Sequence, residues 1–296
     1  MENHAAKPGD SNKLTREYID SLLIEMRHIG ASLPSTQLML YGWTFDTPIM
    51  TAALSHLKND GLVKQAEAAK ALNAVNWLGM GPEEELERVI ATGAKTIKII
   101  KPYKDDARIF KKIEHAERFG ALAVGVDLDH SFSGDGTYDV VLGDEMRAKT
   151  LDDIKAYVRA TKLPFIIKGV LSVRDALQCA EAGVQGIVVS HHHGIMNYAV
   201  PTLRVLPAIA KALNGSMPIF VDCGIESGYD VFKCLALGAT AASIGRALMP
   251  PIEKDGAAGA QTVLTDATRQ LRGVMARTAC KTLSEIDESL IWPTKR

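Results

Sequence analysis

The sequence predicts a (β/α)8 TIM barrel of the α/β class, and three observations carry that expectation. Short β-branched apolar runs alternate with amphipathic helical stretches along most of the chain, the pattern of strands joined by crossover helices. Several of the runs are apolar at nearly every position, as strands buried on both faces must be. The phrases GALAVGV, AGVQGIVV and LGATAASIG share one form, in which a glycine ends a helix and a strand follows. Eight such units fit a closed parallel barrel better than an open doubly wound sheet, the alternative built from the same parts.

Strands are predicted at Pro48–Ala53, Ala74–Leu78, Thr96–Ile100, Ala121–Asp127, Pro164–Lys168, Gly186–Ser190, Pro218–Asp222 and Ala241–Gly245. Between them, apolar residues at helical spacing predict helices over Gly61–Leu72, Pro82–Thr92, Asp106–Phe119, Leu151–Ala160, Val173–Ala182, Thr202–Leu213 and Gly228–Leu237. Glu83 and Glu84 open one helix, and Asp152 and Asp153 another, where carboxylates meet the positive end of the helix dipole. A short N-terminal helical extension around Tyr18–Arg27 precedes the barrel, and a last helix runs near Ala258–Ala279. No linker or low-complexity break divides the chain. The expected organisation is therefore one domain over residues 1–296, with the extension in 1–45 and the barrel in 46–296.

Composition narrows the function. A 296-residue chain that is 47% hydrophobic can bury a full core. A net charge of -1 gives no long-range field toward nucleic acid or an anionic membrane, so neither is an expected partner. The four cysteines, Cys179, Cys223, Cys234 and Cys280, form no C-x-x-C pair. The opening MENHAAKPGDSNK lacks the apolar segment of a signal peptide. These features lead us to expect a cytoplasmic protein with reduced thiols.

In such barrels the reacting groups lie at the C-terminal ends of the strands. That rule singles out Asp127, Lys168, Ser190 to His193, Asp222 to Gly224, and Gly245 with Arg246. Lys168 reads either as a rim ion pair or as a cation beside an anionic intermediate, or a Schiff-base amine. The three consecutive histidines offer a general base, since neutral imidazole takes a proton near pH 7. Three consecutive residues make a poor metal site, and no metal is expected. Asp127 reads equally as a loop cap or as the carboxylate that orients an imidazole. The segments VDCGIESG and IGRALM place glycines and Arg246 where barrels commonly hold phosphate, although glycine there is also ordinary turn chemistry.

These motifs resemble the FMN-dependent α-hydroxy-acid dehydrogenases and oxidases, the family of lactate oxidase and glycolate oxidase. The resemblance runs through LPFIIKGVLSVRDALQCAEAGVQGIVVSHHHG and PIFVDCGIESGYDVFKCLALGATAASIGRALM, and more weakly back to STQLMLYGWTFDTPIM. It implies an FMN cofactor, His192 as catalytic base, Asp127 as its aspartate partner and Lys168 beside the flavin. Cofactor-side positions fall on Lys168, Ser190, Asp222, Gly224, Gly245 and Arg246, and substrate-side positions on Lys101, His193 and Ile195. It further implies oxidation of a hydroxyl-bearing small molecule and a homo-oligomer, a tetramer by resemblance.

The sequence also departs from the family pattern. The family's carboxylate-clamping arginine is Ile195 here, its active-site tyrosine is Lys101, and SFSGDGTYD offers no second arginine. The family's Ser, Gln and Thr at strands two to four are Gly79, Ile99 and Gly125, and Glu226 replaces the arginine of its phosphate motif. An atypical substrate follows. Two other readings keep the barrel: flavin-independent lyase, aldolase or isomerase chemistry at Lys168 and His192, or a non-catalytic binding partner.

Overall fold

The computed structural model describes residues 8–294; residues 1–7 of the expected extension and 295–296 of the expected barrel lie outside the described residues. Eight parallel strands make one sheet in which sequence neighbours are spatial neighbours. They are β1 (Ile49–Thr51), β2 (Asn76–Leu78), β3 (Thr96–Ile100), β4 (Ala123–Asp127), β5 (Phe165–Val170), β6 (Ile187–Val189), β7 (Ile219–Val221) and β8 (Ala241–Ile244). The helices that follow them in turn are α1 (Gly61–Ala71), α2 (Glu83–Ala91), α3 (Asp106–Arg118), α4 (Leu151–Arg159), α5 (Val173–Glu181), α6 (Thr202–Leu213), α7 (Gly228–Ala236) and α8 (Met249–Arg277). The predicted fold class holds.

The sheet curls on itself. β8 pairs with β1 in parallel register from Ala242–Ile49 to Ile244–Thr51. The seam between β1 and β2 is joined by the Thr51 N–H to the Val75 carbonyl (3.2 Å) and the Gly79 N–H to the Leu54 carbonyl (2.9 Å). The Thr51 hydroxyl reinforces it, accepting from the Trp77 N–H at 2.9 Å.

Every position of β3 and β4 is buried, because one face meets the barrel interior and the other the helices. Inside, Met50, Trp77, Ile97, Ile99, Ile166 and Phe220 form one cluster. Burying one such side chain contributes roughly 1.5–3 kcal/mol, so this cluster outweighs any surface ion pair. A hairpin of Leu38–Leu40 and Trp43–Phe45 adds Leu38, Leu40 and Phe45 to the same cluster. The Tyr41 hydroxyl in its turn donates to the Gln185 carbonyl just before β6 (2.8 Å), which sets the hairpin at the N-terminal ends of the strands. The C-terminal ends remain the open mouth.

Two predicted helices differ from the observed ones. The N-terminal helix covers Ser11–Asp20, not Tyr18–Arg27. Asp10 fixes its start by accepting the backbone N–H groups of Asn12 and Lys13. The apolar run Leu22–Ile24 is a strand, because it finds an antiparallel partner in Ile291–Pro293, far away in sequence. The last helix begins at Met249, and Gly256, at φ 64°, breaks it ahead of the predicted stretch.

The N-terminal helix is tied to the mouth of the barrel. Its Arg16 makes two bonds to Asp230 of α7 (2.9 and 3.1 Å) and donates to the Gly224 carbonyl after β7 (2.8 Å). Asp230 stays ionised there: burial would raise its carboxyl, but Arg16 and the Ser227 capping contacts hold it below its ordinary value.

Candidate active site

Four strand ends and one turn meet at the mouth. Asp127 closes β4, and Asp129 and His130 lie in the single 3-10 turn Asp129–Ser131 that follows. Lys101 follows β3, Lys168 lies in β5, and His192 lies two residues past Ser190, after β6. Gly169, at φ 91°, lets the turn pack closely: a Cβ there would stand 2.7 Å from an Asp129 carboxylate oxygen.

His192 Nδ1 is 2.7 Å from Asp129 Oδ1 and 3.3 Å from Asp127 Oδ2. The structure thus brings His192 nearest to Asp129, and Asp127, the partner expected from the resemblance, is shared. Lys101 Nζ bonds Asp127 Oδ2 at 2.9 Å, and Lys168 Nζ lies 3.7 Å from Asp127 Oδ1. Lys168 also stands 3.7 Å from Asp222 and 4.0 Å from Asp129. Its hydrogen bond to the Ser190 hydroxyl is long, 3.3 Å, and His192 Nδ1 stands at the same distance. Asp127 Oδ1 and Asp129 Oδ2 are buried without a hydrogen-bond partner, and both face this ammonium.

These contacts set the protonation states. Burial would raise the Asp127 carboxyl, but Lys168, His192 and Lys101 hold it well below the usual carboxylate range. Asp129 goes the other way, to about 6, because burial and the neighbouring Asp127 charge outweigh Lys168 and His192. Burial and Lys168 push His192 down, yet the two carboxylates win and raise it. Burial alone would neutralise Lys168; Asp127, Asp222 and Asp129 keep it an ammonium. That state opposes Schiff-base chemistry, which needs the free amine.

The three histidines separate by direction. His191 is buried, accepts the Gly194 N–H at Nδ1 (2.9 Å) and so donates from Nε2 to the Thr15 hydroxyl (2.8 Å), a packing role. His192 enters the carboxylate cluster. His193 is exposed at the rim, its backbone N–H on Cys223 Sγ at 3.3 Å. His192 and His193 both take left-handed φ, at 49° and 57°, and it is this bend that fans the rings apart.

Two of the expected substrate-side residues, Lys101 and Ile195, do not line the mouth cavity. Lys101 is buried on Asp127 and is not a free cation. Ile195 is exposed and lies outside the lining of the mouth cavity. Sequence reasoning missed Asp129 and His130. Asp129 stands two residues past Asp127 but in the 3-10 turn and not in the strand, so strand alternation does not reach it, and the irregular turn hides both residues.

A cavity of about 350 Å³ opens beside the cluster, lined by Ala53 and Leu54 after β1 and by Lys168, Cys223, Gly245 and Arg246. Its size falls within the roughly 300–1,000 Å³ of small-molecule sites. A larger groove, about 760 Å³, lies along Leu22–Ile24 and α7; it carries no imidazole or thiol, and its Arg16 and Asp230 bond each other. Asp127, Asp129, His130 and His192 each bring one possible ligand atom within 4.8 Å of the others. The ammonium groups of Lys101 and Lys168 already occupy those carboxylates and oppose another cation, so we read an acid–base cluster.

The family model for FMN-dependent dehydrogenases matches residues 3–149 and 137–293, nearly the whole chain. The chain belongs to the FMN-dependent dehydrogenase family. Among its relatives, glycolate oxidase of Spinacia oleracea is 28% identical over 292 residues, covering 85% of this chain and 79% of the relative. 2-Hydroxyacid oxidase 1 of Homo sapiens is 28% identical, covering 90% and 83%. The crystal structure of mandelate oxidase superposes with a TM-score of 0.85 at 25% identity, over 93% of this chain and 88% of that one. The chain is an FMN-dependent oxidoreductase acting on a hydroxy-acid-like small molecule, a divergent member of the family.

The residues of the mouth suit that cofactor. Ala52, Ala53 and Leu54 give an apolar wall, and Lys168, held only by long contacts, keeps donor capacity for a polar edge. A Cβ at Gly245 would come within 3.0 Å of Ala52 Cβ, so glycine preserves the space. Arg246 is exposed beside it and has no ion-pair partner among the described residues, which leaves a cation for a phosphate. Glu226 is exposed too, with its charge screened by solvent. At Gly79 and Gly125 the altered family positions are closed: a Cβ would stand 2.4 Å from the Ser55 hydroxyl and 2.2 Å from the Ile166 carbonyl, respectively.

Proposed function

We propose that this enzyme oxidises a hydroxyl-bearing, hydroxy-acid-like compound that carries little negative charge beside its hydroxyl, with His192 as the base. The observation that carries the base assignment is the 2.7 Å contact of His192 Nδ1 with Asp129 beside Lys168. It fixes the ring so that Nε2 is the proton-accepting atom. Asp127 and Asp129 stabilise the imidazolium that forms. Bound FMN supplies the acceptor for the hydride equivalent that leaves the carbinol carbon. Lys168, with Ser190, Asp222, Gly224, Gly245 and Arg246 around it, would hold the cofactor, and Lys168 offers positive charge where negative charge accumulates.

The substrate class follows from charge already spent. Lys101 is bonded to Asp127, Lys168 is assigned to the cofactor, and Ile195 cannot bind an anion. A guanidinium clamp would favour a free carboxylate; its absence favours an ester, amide or other neutral neighbour. A mandelate oxidase variant, 25% identical and with a TM-score of 0.85, has a structure with 2-hydroxy-phenylacetamide, an uncharged amide, and this supports the reading.

The test is anaerobic bleaching of the flavin absorbance by 2-hydroxy acids and by their amides and esters. We expect the uncharged compounds to bleach faster, and His192→Ala to keep the flavin bands but not bleach. A protein that takes up no FMN, or a His192→Ala variant that bleaches like the parent, would overturn the proposal.

A further inference from the structure

His192 has one proton-accepting atom for the substrate, and another residue already occupies it. His130 Nε2 lies 3.1 Å from His192 Nε2, with the rings edge-on at a centroid distance of 4.2 Å. The other nitrogen of His130, Nδ1, lies 3.0 Å from Asp139 Oδ2. Asp139 is held in place by its own backbone N–H to the Ser131 carbonyl (3.2 Å) and by the Met146 N–H to its carbonyl (2.8 Å). The loop after β4 therefore builds a second imidazole–carboxylate pair against the first.

Counting hydrogens fixes the state of this array. Asp139 accepts from His130 Nδ1–H, and Asp129 accepts from His192 Nδ1–H. A 3.1 Å contact between the two Nε2 atoms needs one hydrogen between them. The two rings then carry one shared positive charge between two carboxylates. The surrounding groups agree on where it rests. Burial, with Lys101 after β3 and His192, disfavours a charged His130, while Asp127 and Asp129 outweigh burial and Lys168 and favour a charged His192.

We propose that His130 is the proton carrier of this site, alternating with the substrate hydroxyl as the partner of His192 Nε2. The inference rests on His192 being the base. With substrate bound, His130 leaves carrying the shared proton, which frees His192 Nε2; the substrate O–H then breaks and a His192 Nε2–H forms, while bound FMN would supply the acceptor for the hydride equivalent. The displaced His130, whose side chain is 22% exposed, gives its Nε2 proton to water and keeps Nδ1–H on Asp139; after product departs, its bare Nε2 again accepts from His192 Nε2–H. Each turnover thus exports one proton through His130 and restores the resting array.

The holoenzyme with 15N-labelled histidine tests this. Nitrogen NMR should show a coupling across the hydrogen bond joining the two Nε2 atoms, absent in His130→Ala and altered in Asp139→Asn. In turnover with the fastest compound of the bleaching series, His130→Ala should lower kcat by about tenfold or more, the usual scale for a lost acid–base group. Added imidazole should restore it, which a merely structural defect would not permit. No coupling in the parent, or a His130→Ala defect that imidazole leaves untouched, overturns the carrier while His192→Ala remains inactive. Activity surviving in His192→Ala would overturn the base itself.

Discussion

Lys101 bonds Asp127 at 2.9 Å across adjacent strand ends, and both side chains are buried. The lysine that stands where the family has a substrate-side tyrosine has become a counter-ion of the acid–base cluster. Asp127 takes charge from three neighbours, Lys101, Lys168 and His192, and is locked as a carboxylate. Asp129 is the member of the cluster left to adjust.

Lys101→Met should therefore act on stability and not on substrate charge preference. Removing one partner of a buried pair costs roughly 3–5 kcal/mol, and Lys168 at 3.7 Å softens the loss toward the lower end. The urea midpoint should fall with an unchanged slope. The ratio of KM for a hydroxy acid to KM for its amide should stay as in the parent; a selective loss of the acid would show that Lys101 holds the substrate.

The pH dependence has a sign that can be worked out. Asp129 is raised to about 6 from 3.8, so the fold binds a proton there that the unfolded chain has lost. Its contribution is full below about pH 4 and is lost as pH rises through about 6, on the order of 3 kcal/mol. His192, also raised, adds stability below 6.5 that is lost as pH rises through its folded value. His130, lowered, contributes stability above 6.5 that is lost as pH falls through its folded value. Asp129→Asn should remove only the component between pH 4 and 6. Urea midpoints of parent and variant across that range would differ by a constant if the reading of Asp129 were wrong.

The barrel was legible because its cause is local: apolar runs such as TIKII are buried on both faces, and each helix ends at a glycine or a capped turn. Lys168 and Asp127 were legible for the same reason, since a strand end is a predictable place. Asp129 and His130 were not, because a short irregular turn carries them and Asp139 reaches His130 only through the folded β4 loop. Leu22–Ile24 misled in a related way: its helical look is overridden by pairing with Ile291–Pro293. What periodicity cannot encode is contact between distant loops.

Arg246 gives a test of the cofactor mouth that leaves the core alone. It is exposed and has no ion-pair partner among the described residues. Arg246→Ala should leave the urea midpoint of the FMN-free protein within about 0.5 kcal/mol, the usual range for a surface substitution. A charge-assisted bond to phosphate is worth roughly 1.5–3 kcal/mol, so the Kd for FMN should rise about tenfold or more. Riboflavin, which lacks the phosphate, should bind parent and variant alike in a fluorescence-quenching titration.

Gly125 tests whether the departures from the family pattern are reversible. The family has a threonine at this position in the fourth strand, and on sequence alone its restoration is the obvious way to return a lost cofactor contact. The neighbouring strand forbids this: a Cβ at Gly125 would stand 2.2 Å from the Ile166 carbonyl and 3.0 Å from the Ile166 Cβ. The first of these is backbone, paired in register with β4, and cannot swing aside as the end of a side chain can. Overpacking of a core typically costs 1–3 kcal/mol, occasionally more, and the added hydroxyl must also find a partner. Gly125→Thr should therefore lose at least about 2 kcal/mol in urea unfolding, and saturating FMN should not recover it. If FMN did restore the midpoint, the strands at this position would be able to part, and the site would be closer to its relatives than its backbone indicates.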